Sequence, residues 1–405
     1  MSKVVITRFH KALVAAGYQE NRPIWFECRR EDQVSILGNI YVAKVVNVVK
    51  NIQAAFVQIS PEQMCYYSLK ENAQPIFVKQ QCPGKLVQGD EIIVQIDKEA
   101  LKTKDPVVTS KLNVPGKYMA LTTGEKGLGI SKKLSVKQRI GLKEIFASLH
   151  NEQEPFGIVV RTNAVFATPN ELKKEYEYLK QHMLSIVEKG IYRTVFTRLY
   201  EAKDFYMERI QDLPVDSLEK IVTDQWQVYE KILDYYRAYG LEGTMKERLV
   251  YYQDEICPLG ALFNLSRDLE RALGKQVWMK SGAYLVIEPT EALTVIDVNT
   301  GKYSGKNKDR QETFLKINLE AAKEAALQIR LRNLSGIILI DFVDLEQEGD
   351  RKTLMQALEQ ELQKDSLPVN LVELTKLQLA EITRKKVKKP LHEQISLKDL
   401  KEERI

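Results

Sequence analysis

Two short apolar runs near the carboxyl end of the chain share one design. Leu293, Thr294, Val295 and Ile296 lead into Asp297-Val298-Asn299, and Ile337, Ile338, Leu339 and Ile340 lead into Asp341. Each run is β-branched and short, which predicts a buried strand with a polar group at its carboxyl end. Between them Leu315, Leu319, Ala322, Ala326 and Ile329 recur at steps of four and three, so Gln311 to Arg332 is predicted to be a helix with one apolar stripe. Ser335-Gly336 terminates it. The loop before the helix, Thr300 to Arg310 (TGKYSGKNKDR), holds two glycines and three lysines and suits contact with phosphates.

A strand, a crossover helix and a second strand predict a right-handed unit with parallel strands, which carries Asp297 and Asp341 to the same edge of the sheet. Open α/β sheets bind ligands at that edge. Two facing carboxylates repel, which raises the pKa of one of them unless a divalent cation enters. Magnesium suits such a pair, because it takes oxygen ligands and retains waters for a phosphate substrate. Asp344, an odd step beyond Asp341, is expected on the opposite face. Read one at a time, each aspartate caps a turn; the pair in this arrangement outlines a metal-dependent phosphodiester site.

Upstream the period changes. From Gly38 to Asp97, short alternating strands (Ile40 and Val42; Ala55 and Val57; Ile92, Val94 and Ile96) are separated by polar turns, the last opened by Gly89-Asp90. This pattern predicts a five-stranded barrel, a fold that binds single strands by stacking bases on aromatics. The strand Gly157-Ile158-Val159-Val160 runs into Arg161-Thr162. Residues from Glu171 to about Tyr239 are helical in character, with Asp216 and Ser217 placed to cap a helix from Leu218.

Composition narrows the picture a little further. A chain of 405 residues predicts two to three domains. Its 60 basic and 55 acidic residues leave a net charge of +5, which permits a nucleic-acid partner without requiring one. The densest basic stretches are Arg384 to Lys389 and the Thr300 to Arg310 loop. The amino terminus has no signal or transit character and no run approaches a membrane span, so a cytoplasmic protein is expected. Cys28, Cys65, Cys82 and Cys257 are scattered, which predicts neither a disulfide framework nor a zinc site.

The strings VWMKSGAYLVIEPTEALTVIDVNTG, NLEAAKEAALQIRLRNLSGIILIDFVDL and LFNLSRDLERAL closely resemble the catalytic core of the RNase E/G family of endoribonucleases. The resemblance continues through GNIYVAKVVNVVKNIQAAFVQIS, VQIDKEALKTKDPVVT, GISKKL and GIVVRTNA, in the family's order over nearly the whole chain. It implies an α/β multidomain fold. Residues 1–34 plus 205–272 would form an RNase H-like structural subdomain, 35–115 an OB-fold RNA-binding barrel, 116–204 a 5′-phosphate sensor module and 273–395 a DNase-I-like α/β catalytic domain. Residues 396–405 would form a charged tail.

The same resemblance implies roles for individual residues. Asp297 and Asp341 would hold a catalytic magnesium ion, and Asn299 would position the scissile phosphate. Phe56 and Tyr66 would stack bases, with Lys98 and Lys104 nearby. Arg161 and Thr162 would grip the terminal phosphate of a 5′-monophosphorylated RNA. The implied activity is hydrolysis of single-stranded RNA, such as rRNA precursors and mRNA, to 5′-phosphate and 3′-hydroxyl products. From pattern alone Phe56 reads as a barrel core residue, Arg161 as a surface arginine after a strand, and Lys98 and Lys104 as solvated lysines.

The chain also departs from the family. Tyr66 replaces the usual phenylalanine, and Lys376 stands where an arginine more often helps to hold the RNA, keeping the charge but losing the fork. Many relatives carry a zinc-binding C-x-x-C pair after the catalytic domain. Here the sequence reads KKPLHEQISLKDLKEERI, and His392 alone cannot replace two thiolates, so any homo-oligomer is expected to lack a zinc link. Two rival readings stand beside the nuclease: a non-catalytic RNA-binding platform in a degradation or ribosome-maturation complex, and a nuclease directed at DNA.

Overall fold

The computed structural model describes residues 2–30, 35–72, 74–79, 85–100, 105–131, 134–151, 153–213, 217–301 and 310–397. Lys104, Cys82, Asp216 and most of the Thr300 to Arg310 loop lie outside these residues. The chain divides into two compact units. One holds residues 1–33, 219–231 and 247–405, and the other holds 34–218 and 232–246.

The chain opens with β1 (Ser2–Phe9), β2 (Ala12–Gln19) and β3 (Arg22–Arg30), joined as antiparallel hairpins. The second turn, Glu20-Asn21, has positive φ at both residues (52° and 59°), the twist that suits a two-residue hairpin.

In the other unit, β4 (Ile40–Val49), β5 (Ala54–Ser60), β6 (Gln63–Ser68), β7 (Glu91–Lys98) and β8 (Val107–Thr109) pair in the order β4-β5-β6-β8-β7. β7 pairs back with β4 and closes the barrel, which removes its exposed edges. Alternation fills the interior with Val45, Ala55, Val57, Cys65, Tyr67, Ile92, Val94 and Ile96.

A four-stranded sheet follows, in which β9 (Asn113–Pro115), β10 (Met119–Thr122), β12 (Gly157–Val160) and β11 (Leu128–Ile130) lie side by side in that order. Helix α1 (Val136–Ala147) starts at a Ser135/Gln138 capping box and α2 (Pro169–Leu184) at a Thr168/Glu171 box. Glu175 of α2, only 3% exposed, accepts hydrogen bonds from the backbone N–H groups of Lys117, Tyr118 and Met119 and from the Tyr239 hydroxyl. Four donors make this buried carboxylate an anchor between α2 and the sheet. Helix α3 (Phe205–Asp212) completes this part.

Leu218–Thr223, where a helix was expected, is strand β13. It pairs in parallel with β14 (Leu249–Tyr251) and joins β1, giving a sheet ordered β14-β13-β1-β2-β3. The β-branched run Ile221-Val222-Thr223 and burial within the sheet override the capping residues. Helix α4 (Leu265–Leu273) covers this sheet through Leu265 and Leu269.

The last sheet is ordered β15 (Gln276–Trp278), β16 (Tyr284–Pro289), β17 (Leu293–Asn299), β18 (Gly336–Asp341), β20 (Leu379–Arg384) and β19 (Val369–Leu374). Only β17 and β18 are parallel, joined by α5 (Arg310–Leu331), one residue from the predicted start. α5 and α6 (Glu348–Leu362) pack on a single face, where Ile296, Ile338, Ile340, Ala380 and Ile382 meet Ala321, Ala325, Ile329, Leu354 and Leu358. The strands, read from their apolar runs as buried, are covered by these helices on one face. Val295 remains 36% exposed and Ile337 50%. Antiparallel flanking strands need no helix on the far side, and among the described residues that face stays open.

Behind this core Arg384, 4% exposed, donates through Nε to Asp365 Oδ2 at 2.9 Å and through Nη1 to Asn333 Oδ1 at 2.7 Å. The pair ties β20 to the segment after α6. Among the described residues no helix is long and apolar enough to cross a membrane. Removing one partner leaves a buried charge, so Asp365→Ala is expected to destabilise the protein by about 3–5 kcal/mol, read as a lower urea midpoint.

Candidate functional site

The register of β17 and β18 places Asp297 opposite Asp341. Both side chains stand on the open face, because Thr294, Ile296, Val298, Ile338 and Ile340 alternate with them toward the helices. Asn299, two residues on, shares that face and donates from Nδ2 to Asp297 Oδ2 at 2.5 Å. Partial desolvation pushes the Asp341 carboxyl above its ordinary value, and the charges of Asp297 and Asp344 push it further. Asp344 lies beyond the end of β18, so strand alternation does not govern it, yet its charge reaches Asp341.

Backbone features hold this end of the sheet in shape. Gly301 has φ +63°, and a Cβ there would run into the carbonyl oxygen of Gly282. The hairpin after β15 therefore passes directly against the chain leaving Asn299, and only glycine fits. Asn318 of α5, fully buried, donates to the Val343 carbonyl at 2.7 Å and accepts from the Val343 N–H at 3.0 Å. That amide clamps the segment following Asp341.

The donor set fits magnesium. Among the described residues no group of three or more His, Cys, Asp and Glu side chains is placed to hold an ion, but an ion that retains several waters and takes substrate phosphates needs only one or two carboxylates. No described cation pairs with Asp297 or Asp341. Lys376 is exposed in the β19–β20 turn, at the end of the sheet where Leu379 faces Asp341.

Arg161 and Thr162 lie in the other unit, at the end of β12. Arg161 Nη1 donates to Asp212 Oδ1 at 2.6 Å, and Asn163 Nδ2 donates to the backbone carbonyls of Gln211 at 3.0 Å and Asp212 at 3.2 Å. The end of α3 is thus tied to the turn that carries the arginine. One carboxylate on Nη1 leaves the remaining guanidinium donors for another anion. The Lys203 ammonium lies 5.0 Å from the Tyr235 ring centroid. Burial pushes it down to about 8; Glu175 opposes this and the charge of Arg161 adds to it.

On the barrel, register brings three further predicted residues into one row. Phe56 pairs with Tyr66, Tyr66 with Val107, and Val107 with Lys98. Phe56 and Tyr66 point outward, between inward-facing Ala55, Val57, Cys65 and Tyr67, so Phe56 is not a barrel core residue. Their ring centroids are 6.2 Å apart at 80°. Lys98 Nζ is 3.9 Å from Asp97 Oδ2.

Sequence reasoning missed Asn318, Asp212 and Glu175. A lone asparagine within the apolar face of a helix was a usable signal for the first. Asp212 and Glu175 are ordinary helix-surface residue types, and their partners lie 51 and up to 64 residues away.

The profile of the Ribonuclease E/G family matches residues 113–387. The chain is 31% identical over 373 residues to ribonuclease G of Escherichia coli strain K12, covering 89% of this chain and 75% of that protein. Ribonuclease G of Haemophilus influenzae is 31% identical over 377 residues, with the same coverage. Ribonuclease E of a Nostoc species is 29% identical over 361 residues, covering 88% of this chain and 52% of the relative. With Asp297, Asn299 and Asp341 on one open sheet face and this extent of matching, the chain belongs to the ribonuclease E/G family of endoribonucleases.

Proposed function

We propose that this chain hydrolyses single-stranded RNA at the open sheet face, with magnesium held by Asp297 and Asp341, and leaves 5′-phosphate and 3′-hydroxyl ends. The observation that carries the reading is the in-register carboxylate pair with Asn299 hydrogen-bonded beside it. When bound, magnesium supplies stabilisation of the charge developing on the phosphate and acidifies water for attack. Asp297 is held in orientation by Asn299, whose second amide N–H remains to position the scissile phosphate. No side-chain nucleophile is needed. The outer row Phe56, Tyr66 and Lys98 supplies base stacking and charge for the strand.

Within this reading Arg161 and Thr162 favour a 5′-monophosphate, because a guanidinium fork and a hydroxyl match a compact dianion. Residues 273–395 act as the DNase-I-like catalytic domain, 116–204 as the 5′-end sensor, 35–115 as the OB-fold RNA binder and 1–34 with 205–272 as the RNase H-like support. Processing of rRNA precursors and turnover of mRNA are the corresponding roles. The free thiols of Cys28, Cys65 and Cys257 suit a reducing cytoplasm.

The decisive experiment follows cleavage of a short AU-rich RNA, and of the matching DNA, with magnesium and with EDTA. Asp297→Asn is expected to lose cleavage by at least about 100-fold while keeping its RNA affinity; a variant that still cuts would remove Asp297 from the site. RNA binding by the wild type without magnesium-dependent cutting would favour the platform reading.

Stability separates the carboxylates further. The folded protein binds the Asp341 proton more readily than the unfolded chain does, so this group's contribution is present at acid pH and lost as pH rises through the raised value. At neutral pH in EDTA, Asp341→Asn is therefore expected to raise the thermal midpoint by about 1–2 °C while abolishing cleavage. Arg161→Ala is expected to cut the preference for 5′-monophosphate over 5′-hydroxyl RNA by about tenfold or more. Equal slowing on both substrates would rule out end sensing by this residue.

A further inference from the structure

The cross-strand row that contains Asn299 continues over two more strands. Tyr284 pairs with Asn299 and Trp278 pairs with Tyr284. Directly opposed residues share a face, so both aromatics stand on the open face with Asp297 and Asp341. Their ring centroids are 4.8 Å apart and tilted by 44°. Trp278 is 64% exposed, while its neighbour Val277 packs against the helix-covered core. The core does not need this indole, and Tyr284 supports it from one side. Two strand spacings put Trp278 about 9–10 Å from the Asn299 column, the reach of a nucleotide flanking the scissile phosphate.

We propose that Trp278, backed by Tyr284, is a stacking platform for a base beside the scissile phosphate. The proposal rests on the reading of Asp297, Asn299 and Asp341 as the cleavage site. Single-stranded RNA is the occupant because the aromatic pair runs without interruption into the phosphate-positioning asparagine. A protein seated on this row would cover the carboxylates and shut out substrate. Every base offers a π-face to an indole, so the platform tolerates sequence and holds the strand by stacking. It also gives the catalytic sheet its own grip on the RNA, separate from the outer row of the barrel.

The test combines Trp278→Ala and Trp278→Phe with RNAs carrying one abasic nucleotide at successive positions around the cut. Cleavage is measured with magnesium and affinity by fluorescence anisotropy in EDTA. Wild type is expected to lose about tenfold in kcat/KM and in affinity when one flanking base is missing. Trp278→Ala should show the same loss on intact RNA and no further loss on that abasic RNA, with an unchanged thermal midpoint. Trp278→Phe should recover most of the effect.

Independent, multiplying losses for the mutation and the abasic site would overturn the proposal, as would a Trp278→Ala protein that binds and cuts like wild type. Loss of a dimer in Trp278→Ala with RNA binding unchanged would assign the patch to contact between copies and also overturn it. If wild type binds RNA in EDTA through Trp278 but never cuts, the cleavage reading fails and takes with it the placement beside a scissile phosphate, while stacking of a base on Trp278 stands. If wild type cuts and Trp278→Ala is unaffected, the platform alone fails.

Discussion

Parallel pairing of β17 with β18, in a register that sets Asp297 against Asp341, is the constraint on which the candidate site depends. Parallel neighbours cannot be joined by a tight turn, so the chain must cross over, and α5 makes that crossing. The helix buries its small face of Ala321, Ala322, Ala325 and Ala326 against the strands, which lets it lie close to them. Asn318 then uses the same helix to hold Val343, just past Asp341. The covalent connection, the packing and the hydrogen bonds therefore support one juxtaposition of like charges. That juxtaposition is unfavourable by itself: desolvation raises the Asp341 carboxyl most, and the charges of Asp297 and Asp344 add to the push.

Strand alternation then separates stability from chemistry. On β17 and β18 one set of side chains builds the core with α5 and α6, and the other set stands on an open face with the carboxylates, Asn299 and an exposed tryptophan. The barrel repeats the arrangement: Ala55, Val57, Cys65 and Tyr67 fill the interior while Phe56 and Tyr66 face outward. A one-residue slip in either sheet would exchange the two sets, so turns and glycines at the strand ends have functional weight. Gly301, pressed against the Gly282 carbonyl at positive φ, is the clearest case.

Several groups outside the candidate sites serve as fasteners. Arg384 with Asp365 and Asn333 secures the back of the sheet that carries Asp297 and Asp341, and Glu175 gathers three backbone N–H groups and a tyrosine hydroxyl beneath the sheet that ends in Arg161. Buried charge of this kind is tolerated because nearly every polar atom has a partner. Asp212, by contrast, binds an arginine at the surface, where the ion pair orients the guanidinium more than it stabilises the fold.

By itself the sequence determined the strand–helix–strand unit, the barrel and the residues that end their strands, because local periodicity and β-branching are set by neighbouring positions. It misjudged Leu218–Thr223, where cap residues suggested a helix and pairing with β1 and β14 imposed a strand. It marked β17 and β18 as buried strands without showing on which face, since an apolar run does not reveal how many layers will cover it. Only the tertiary structure decided which face stayed open, that Phe56, Tyr66 and Lys98 form one row, and that Arg161 meets Asp212. Those outcomes depend on contacts between residues far apart in the chain, and such contacts are selected by the packing of whole elements, not by the residues beside them.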